Sequence, residues 1–588
     1  MATGLSIPTE KPQNGLMGLK HWRYDLRSGF MVSMISLPFS MGIAITSGAP
    51  PVCGIMSAII AGLMLPFLGG SYVTISGPAA GLAPVLFAGM IMLGSVQLGH
   101  GADQSELLKA GYPLVLVTIC IAGLLQVVLA KLKVARLSAI FPAAAIEAML
   151  AAIGLLIIVK QIPLFMGVKF EAHEFWTILG EVPRHFTTMN HRVLGLGVVC
   201  VAALFILAAI PARFLKVMPP PVWVFFFGTL ASQLLLHLDQ QYLINVPKGL
   251  LKNGIVLPAF PAVFGNYHLW APAAYIVITL LLIDGTESLA TIAAVDKIDP
   301  YRRRSDPDRT LFAMGVLNMC SSTLGGLTII PGMVKSTANI LGGGRTQWAN
   351  FFNACFLLSF LLFGRDLVNL VPMTVLASIL VYIGFKLCRP KVWMKVAQIG
   401  TEQLLIFTVT ILVTLTTDLL IGIGAGIALR LVISMWYVGL WHKLQDDSVG
   451  VPKASLPARF LSLFRNPVTR RELDQDKFHL YLDGPLVCFN MFHMIRELGN
   501  RPHDAREMYL HLSPRVPLVD HTTYDALHHF LEEFNASGDY PNLMIDGWGH
   551  LRPLSKHETS GRIALLAAER LDTTARAEEE LRVTQATD

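Results

Sequence analysis

Charge is scarce in this chain. Asp, Glu, Lys and Arg together make up only 15% of its 588 residues, against 53% hydrophobic residues, where soluble domains hold roughly 25% charged residues. That balance, with a mean hydropathy of +0.55, excludes an ordinary water-soluble globule and indicates a polytopic membrane protein. The net charge of +6 is too small for nucleic-acid binding and reads instead as basic residues gathered in cytoplasmic loops. Cysteine is also sparse, seven residues scattered singly with no CxxC pair, so neither a disulfide framework nor a zinc site is expected. His521, His528 and His529 have no companions at metal-ligand spacing, and GIGAGIAL at 422–429 has no phosphate-loop lysine. With no catalytic triad signature either, an enzyme is not expected. The polar N-terminus is too long before its first apolar run to be a cleaved signal peptide, so the first span should remain as a membrane helix.

Long apolar runs are what the chain has in abundance. Segments of about 17–25 residues can cross a bilayer, and candidate spans fall near 29–46, 52–68, 77–94, 112–130, 143–162, 194–212, 221–236, 270–296, 311–326, 331–342, 349–363, 371–385, 403–418 and 420–440. Lys20, Arg23 and Arg27 precede the first span and place the N-terminus inside. Even-numbered spans then end inside, and basic clusters follow spans four, six, eight and twelve as that requires: Lys131, Lys133 and Arg136; Arg213 and Lys216; Lys297 and Arg302–Arg304; Lys386, Arg389, Lys391 and Lys395. After Trp441 the composition turns charged. Residues 442–476 read as a basic linker, and 477–560 as a small cytoplasmic α/β domain. Within 477–560, KFHLYLDG, EMYLHLS and NLMIDGW read as strands, and VDHTTYDALHHFLEEFNASG as a helix. A further helix is expected over HETSGRIALLAAERL, running into the C-terminal helix and tail at 561–588. Both termini are thus expected in the cytoplasm of a plasma or inner membrane protein.

Two stretches break the hydrophobic pattern in the same way. GGSYVTISGPAAGLAPVL at 69–86 and GGLTIIPGMVKSTANIL at 325–341 each carry Gly-Gly, a β-branched run, Pro with Gly, and a helix-compatible tail. Seven spans separate corresponding points, an odd number that inverts the second copy. The expected architecture is a 7+7 inverted repeat, about 23–236 and 270–441, with spans 3 and 10 interrupted near the bilayer midplane. Pro78 and Pro331 suit a first helical turn, leaving the N–H groups of 79–81 and 332–334 to face an anion. Lys335, one turn further on, adds a full positive charge where a lysine costs about 2.5–3.5 kcal/mol to insert. The alternatives are a lysine snorkelling to the interface or paired with an acid.

The acids are in span eight, APAAYIVITLLLIDGTESLATIAAVDKI, where Asp284, Glu287 and Thr291 share one helical stripe. Three roles are open for the carboxylates: counter-ion for Lys335, proton carrier, or Na⁺ ligand with the Thr291 hydroxyl. Lys160 is expected to reach the interface at the end of its span, and Glu147 to lie near the inner face.

SLPFSMGIAITSGAPP, SGPAAG, TESLATIAAVD and PGMVKSTANILGGGRTQ, in this order and followed by VPLVDHTTYDAL, resemble the SulP (sulfate permease) family of anion transporters with a C-terminal STAS-like domain. The resemblance implies alternating access, with a core of spans 1–4 and 8–11 moving against a gate of spans 5–7 and 12–14. It places the anion site at Ser40, Ala79, Ala80, Gly332, Met333, Val334 and Lys335. It also implies a homodimer in the bilayer and no nucleic-acid partner. Pro38-Phe39-Ser40 lacks the glutamine common in sulfate-transporting members, which leans the expectation to bicarbonate, with Na⁺ coupled through Asp284, Glu287 and Thr291. Sulfate or another oxyanion is the alternative, and a membrane sensor signalling through the STAS-like domain is a reading of another class. In that domain His521 replaces the serine that some relatives phosphorylate, with Thr522 next.

Overall fold

The computed structural model describes residues 11–99, 102–133, 142–170, 172, 174–210, 220–244, 256–301, 303–364, 369–417, 419–444, 455–474, 477–499, 507–537 and 542–564. The chain divides into two compact units, residues 1–138 with 150–388, and residues 139–149 with 389–588.

The first unit holds the helices α1 (Trp22–Thr46), α2 (Pro51–Leu68), α3 (Ala83–Leu98) and α4 (Gln104–Lys131), with strand β1 (Ile75–Pro78) between α2 and α3. Helix α5 (Ala143–Lys160) begins in the second unit's sequence and ends in the first; α6 (His191–Ala209) and α7 (Pro220–Ala231) follow. Next come α8 (Trp270–Ile298), α9 (Pro307–Thr323), β2 (Ile329–Gly332), α10 (Met333–Leu341), α11 (Trp348–Phe363) and α12 (Met373–Leu387). Capping marks several starts: Asp103, Asn190 and Asp306 each accept backbone N–H groups from the first turn of α4, α6 and α9. Among the described residues, eight helices are long and apolar enough to cross a membrane and four shorter apolar ones accompany them. Twelve of the fourteen expected segments therefore occur as apolar helices, the other two being α9 and α10. Helix α10 has nine residues, a rise of about 14 Å against a hydrocarbon core of about 30 Å.

The two interrupted segments meet. Strands β1 and β2 pair antiparallel, with Ile75 opposite Gly332, Ser76 opposite Pro331, Gly77 opposite Ile330 and Pro78 opposite Ile329. Pro78 therefore ends β1 and Pro331 lies within β2, so neither opens a helix, contrary to the expectation that they suit a first helical turn. A strand in a two-stranded ladder turns every second N–H away from its partner, and proline is tolerated there. The helices start later, α3 at Ala83 with Pro84 in its first turn and α10 at Met333 with Gly332 as cap.

Side chains from the surrounding helices grip this ribbon. Asn350 of α11 donates to the Thr74 carbonyl (2.7 Å) and accepts from Ser76 N (3.1 Å). Ser336 and Asn339 of α10 bond to Ile75 N and the Val73 carbonyl. Ser57 of α2 accepts from Leu327 N, and the Tyr112 hydroxyl of α4 donates to the Gly325 carbonyl. The helices around them pack α1 on α11, α2 on α11 and α4 on α9. At the α4–α9 crossing Gly123 and Gly315 face one another, and a Cβ on either would sit 2.6–2.7 Å from the other's carbonyl oxygen, so only glycine permits this approach.

The second unit contains α13 (Thr401–Thr416) and α14 (Leu419–Leu444), which pack together, and the C-terminal α/β part. That part comprises α15 (Leu456–Ser462), β3 (Val468–Asp474), β4 (Lys477–Leu482), α16 (Met491–Gly499), β5 (Glu507–Leu512), β6 (Leu518–Val519), α17 (His521–Ser537), β7 (Asn542–Asp546), β8 (Leu551–Pro553) and β9 (Arg562–Ala564). One sheet has the order β3-β4-β5-β7, antiparallel at β3/β4 and parallel thereafter; β6-β9-β8 form a second, antiparallel sheet. Phe478, Leu480 and Leu482 of β4 and Met508, Leu510 and Leu512 of β5 fill the core on alternate positions.

Two expectations need correction here. The stretch 442–476 contains α15 and β3 as well as linker. Strand β3 pairs on one side only and is largely exposed along its length, so no apolar alternation marks it. Within HETSGRIALLAAERL, Arg562–Ala564 form β9 and not a helix, because the edge of β8 takes up their backbone groups. The tail after 564, residues 445–454, and Arg136, Arg213, Lys216 and Arg302 lie outside the described residues.

Candidate functional site

Lys335, in the first turn of α10, is 1% exposed. Its Nζ donates to Ser40 Oγ at 3.3 Å and sits 5.0 Å from the centre of the Phe39 ring, both on α1 directly after Pro38. It also lies against β1, where a Cβ at Gly77 would approach Nζ to 2.5 Å. Among the described residues no carboxylate pairs with Lys335. The structure thus keeps Lys335 away from the interface and from an acidic partner, leaving a buried ammonium held by one hydroxyl and one ring face.

The other predicted anion-site residues come from both interrupted segments. Ala79 is buried, with Ala80 in the turn between β1 and α3, and Ala79 N donates to the Thr328 carbonyl at 3.2 Å. Gly332 caps α10, and Met333 and Val334 form its first turn; the Met333 side chain is exposed. The N-terminal turns of two helices and an ammonium are therefore assembled around one hydrogen-bonded ribbon, an arrangement suited to an anion.

Helix α8 packs against α3, α10 and β2 and brings its acids to the same ribbon. Asp284 is 1% exposed; its Oδ1 accepts from Ser288 Oγ (3.0 Å) and its Oδ2 from Asn318 Nδ2 (2.7 Å). The Glu287 carboxylate lies against Gly81, where a Cβ would collide with it. Its Oε2 is buried with no hydrogen-bond partner. Thr291 follows one turn along α8 and is partly exposed. Lys335 and Glu287 thus flank the segment Gly77–Gly81 from two sides without forming an ion pair. The unpartnered oxygen, Asp284 and the Thr291 hydroxyl are hard oxygen donors, of the type that suits an alkali cation or a proton.

Sequence reasoning missed Gly77 and Gly81, whose absent side chains make room for the two charges, and the amides Asn318, Gln126 and Asn350. A signal existed in LFAMGVLNMCSST and IAGLLQVVLA, where a single amide interrupts an apolar run. Lys160 reaches back over the Phe87 ring at 4.4 Å. In the second unit, Glu147 pairs with Lys395 at 2.8 Å.

Comparison with known proteins gives the following likenesses. The family described as "Sulfate permease family" matches residues 22–410. The bicarbonate transporter BicA of Picosynechococcus is 23% identical over 519 residues, covering 87% of this chain and 86% of its own. YvdB of Bacillus subtilis, provisionally named a sulfate transporter, is 25% identical over 429 residues, covering 70% of this chain and 74% of its own. The solved transmembrane domain of a cyanobacterial bicarbonate transporter BicA superposes with a TM-score of 0.58 at 22% identity, covering 69% of this chain and 97% of that one.

Proposed function

Because the chain belongs to the sulfate permease family, whose members transport anions through membranes, we propose that it is a secondary active transporter that moves bicarbonate together with Na⁺. The observation that carries this reading is Lys335, a buried ammonium in the first turn of α10 that no carboxylate pairs with among the described residues. Breaking up a buried ion pair costs about 3–5 kcal/mol because it strands a charge, and a site built with the charge already stranded calls for a mobile counter-ion. Bicarbonate is favoured by Pro38-Phe39-Ser40 without a glutamine and by the likeness to BicA.

The cation side rests on Glu287. Its buried oxygen lacks a donor, and Asp284 and Thr291 stand on the same face of α8. Na⁺ would occupy this face, binding with the anion because the two charges compensate one another across Gly77–Gly81. Alternating access follows if the ribbon and its helices move as a body relative to the gate spans. The antiparallel pairing of β1 with β2 supports an inverted repeat, and the mixed sheet of the C-terminal part supports a STAS-like domain.

The test is uptake of labelled bicarbonate into proteoliposomes, with and without an inward Na⁺ gradient. Sulfate serves as competitor and empty liposomes at the same pH as control. Protein-dependent, Na⁺-driven uptake indifferent to sulfate is the expected result. Uptake of labelled sulfate under a proton gradient, with no bicarbonate uptake, would overturn the choice of substrate and favour the relationship to YvdB.

A further inference from the structure

We propose that Asn318 is a positioning residue that couples the cation site on α8 to the anion site, an inference that rests on the coupled-transport reading above. Asn318 belongs to α9 and is 1% exposed. Its Nδ2 donates to Asp284 Oδ2 at 2.7 Å and to Gln126 Oε1 at 3.0 Å, while its Oδ1 accepts from Ile329 N at 2.6 Å. Both amide hydrogens and the carbonyl oxygen are therefore in use. The orientation is fixed by its partners: turning the amide over would set its oxygen against two acceptors and its NH₂ against a donor.

Ile329 is the junction at which both halves of the anion site meet. It opens β2, which runs directly into α10 and Lys335, and it stands opposite Pro78, which leads into Ala79, Ala80 and Gly81. One side chain thus connects a carboxylate of α8 to the backbone that holds the ammonium and to the turn facing Glu287. A cation at Asp284 and Glu287 competes with Asn318 Nδ2 for the lone pairs of Asp284. Any resulting shift of the amide passes to Ile329 N through the shortest of its three hydrogen bonds.

The network is also incomplete in a way that a fixed staple is not. Glu287 Oε2 is buried with no donor, while the Gln126 side chain faces Asp284 without a hydrogen bond of close geometry from its Nε2. Buried groups in a purely structural network are satisfied in the great majority of cases, and a half-satisfied network is costly. An unused acceptor on Glu287, one turn from Asp284, and a loosely held Gln126 amide beside Asp284 fit a network that has a second arrangement when the cation is bound.

The experiment measures KM for bicarbonate at low and at saturating Na⁺ with the full chain in proteoliposomes. It compares the wild type, Asn318→Asp, and the exchange Asp284→Asn with Asn318→Asp. In the wild type KM is expected to fall at least tenfold as Na⁺ rises. Asn318→Asp keeps an acceptor for Ile329 N but loses both donors, and its KM is expected to vary less than twofold with Na⁺. In the exchange the amide donates from position 284 and the carboxylate accepts at 318, and at least half of the coupling factor should return. A merely structural role would lower transport without changing the dependence of KM on Na⁺. Asn318→Ser, smaller and uncharged, supplies the same comparison if Asn318→Asp does not insert. A coupled wild type beside a variant with unchanged coupling overturns the role of Asn318 alone, as does an exchange that restores nothing. A wild-type KM indifferent to Na⁺ overturns the coupled-transport reading, and this inference with it.

Discussion

An ammonium whose nearest partners are a serine hydroxyl and an aromatic ring is poorly compensated, since the hydroxyl contributes one dipole and the ring only its quadrupole. On the proposed reading Lys335 holds the anion, and its removal should abolish function more than fold. Lys335→Ala is expected to reduce anion uptake at least a hundredfold while the protein inserts normally and elutes as the wild type does on size exclusion; wild-type uptake would exclude an anion site here. This residue was legible in the sequence because a lysine in an apolar run is costly wherever it does not serve a purpose. Gly77 and Gly81 were not, since what matters at these positions is the volume they leave to Nζ and to the Glu287 carboxylate. Asn318 was equally hidden: its importance lies in three partners on α8, α4 and β2, which no local pattern brings together.

At the scale of elements, the repeat of Gly-Gly, β-branched run and Pro with Gly announced two interruptions, and both are present. That the interruptions form one ribbon could not be read from either stretch, because four-residue strands so far apart in sequence are selected by the helices that hold them and not by propensity. Asn350 is the clearest of these holds, bonding to Thr74 and Ser76 on consecutive sides of β1. Asn350→Ala leaves a buried carbonyl and a buried N–H without it, and each stranded group costs about 1–3 kcal/mol. The variant is expected to unfold at lower temperature in detergent and to lose transport; an unchanged unfolding temperature would show that the ribbon stands without this grip. Strand β3 illustrates the opposite failure, an element whose exposed, charged residues gave no sign that it pairs with β4.

At the scale of the molecule, composition placed a boundary at Trp441, whereas the second compact unit begins its main segment at Arg389. The reason is Arg430 of α14, 1% exposed, whose guanidinium meets Glu402 Oε2 of α13 at 3.4 Å and Asp520 Oδ2 at 3.3 Å. Asp520 also caps α17, accepting from Thr523 N at 2.7 Å, and accepts from Cys488 N at 2.8 Å. The neighbouring Thr522 hydroxyl accepts from Ala143 N of α5. Breaking a buried pair by removing one member costs about 3–5 kcal/mol, and a lost cap adds about 1 kcal/mol. Burial, with Asp520 beside it, pushes the Cys488 thiol well above its ordinary range, so it is neutral and unreactive in the folded protein. In Asp520→Ala the label of a thiol reagent at Cys488 is expected to rise with loosening of the C-terminal part; continued protection, read by peptide mapping, would show that the cluster does not hold it.

The position of Asp520 has a consequence for how the protein is made. The ribosome finishes α13 and α14 before it reaches the aspartate that completes the charge balance around Arg430. Until then Glu402 alone faces the guanidinium. A chain that stops before residue 520 therefore leaves Arg430 with one of its two carboxylate partners missing. The charge balance of α14 thus depends on synthesis having passed residue 520.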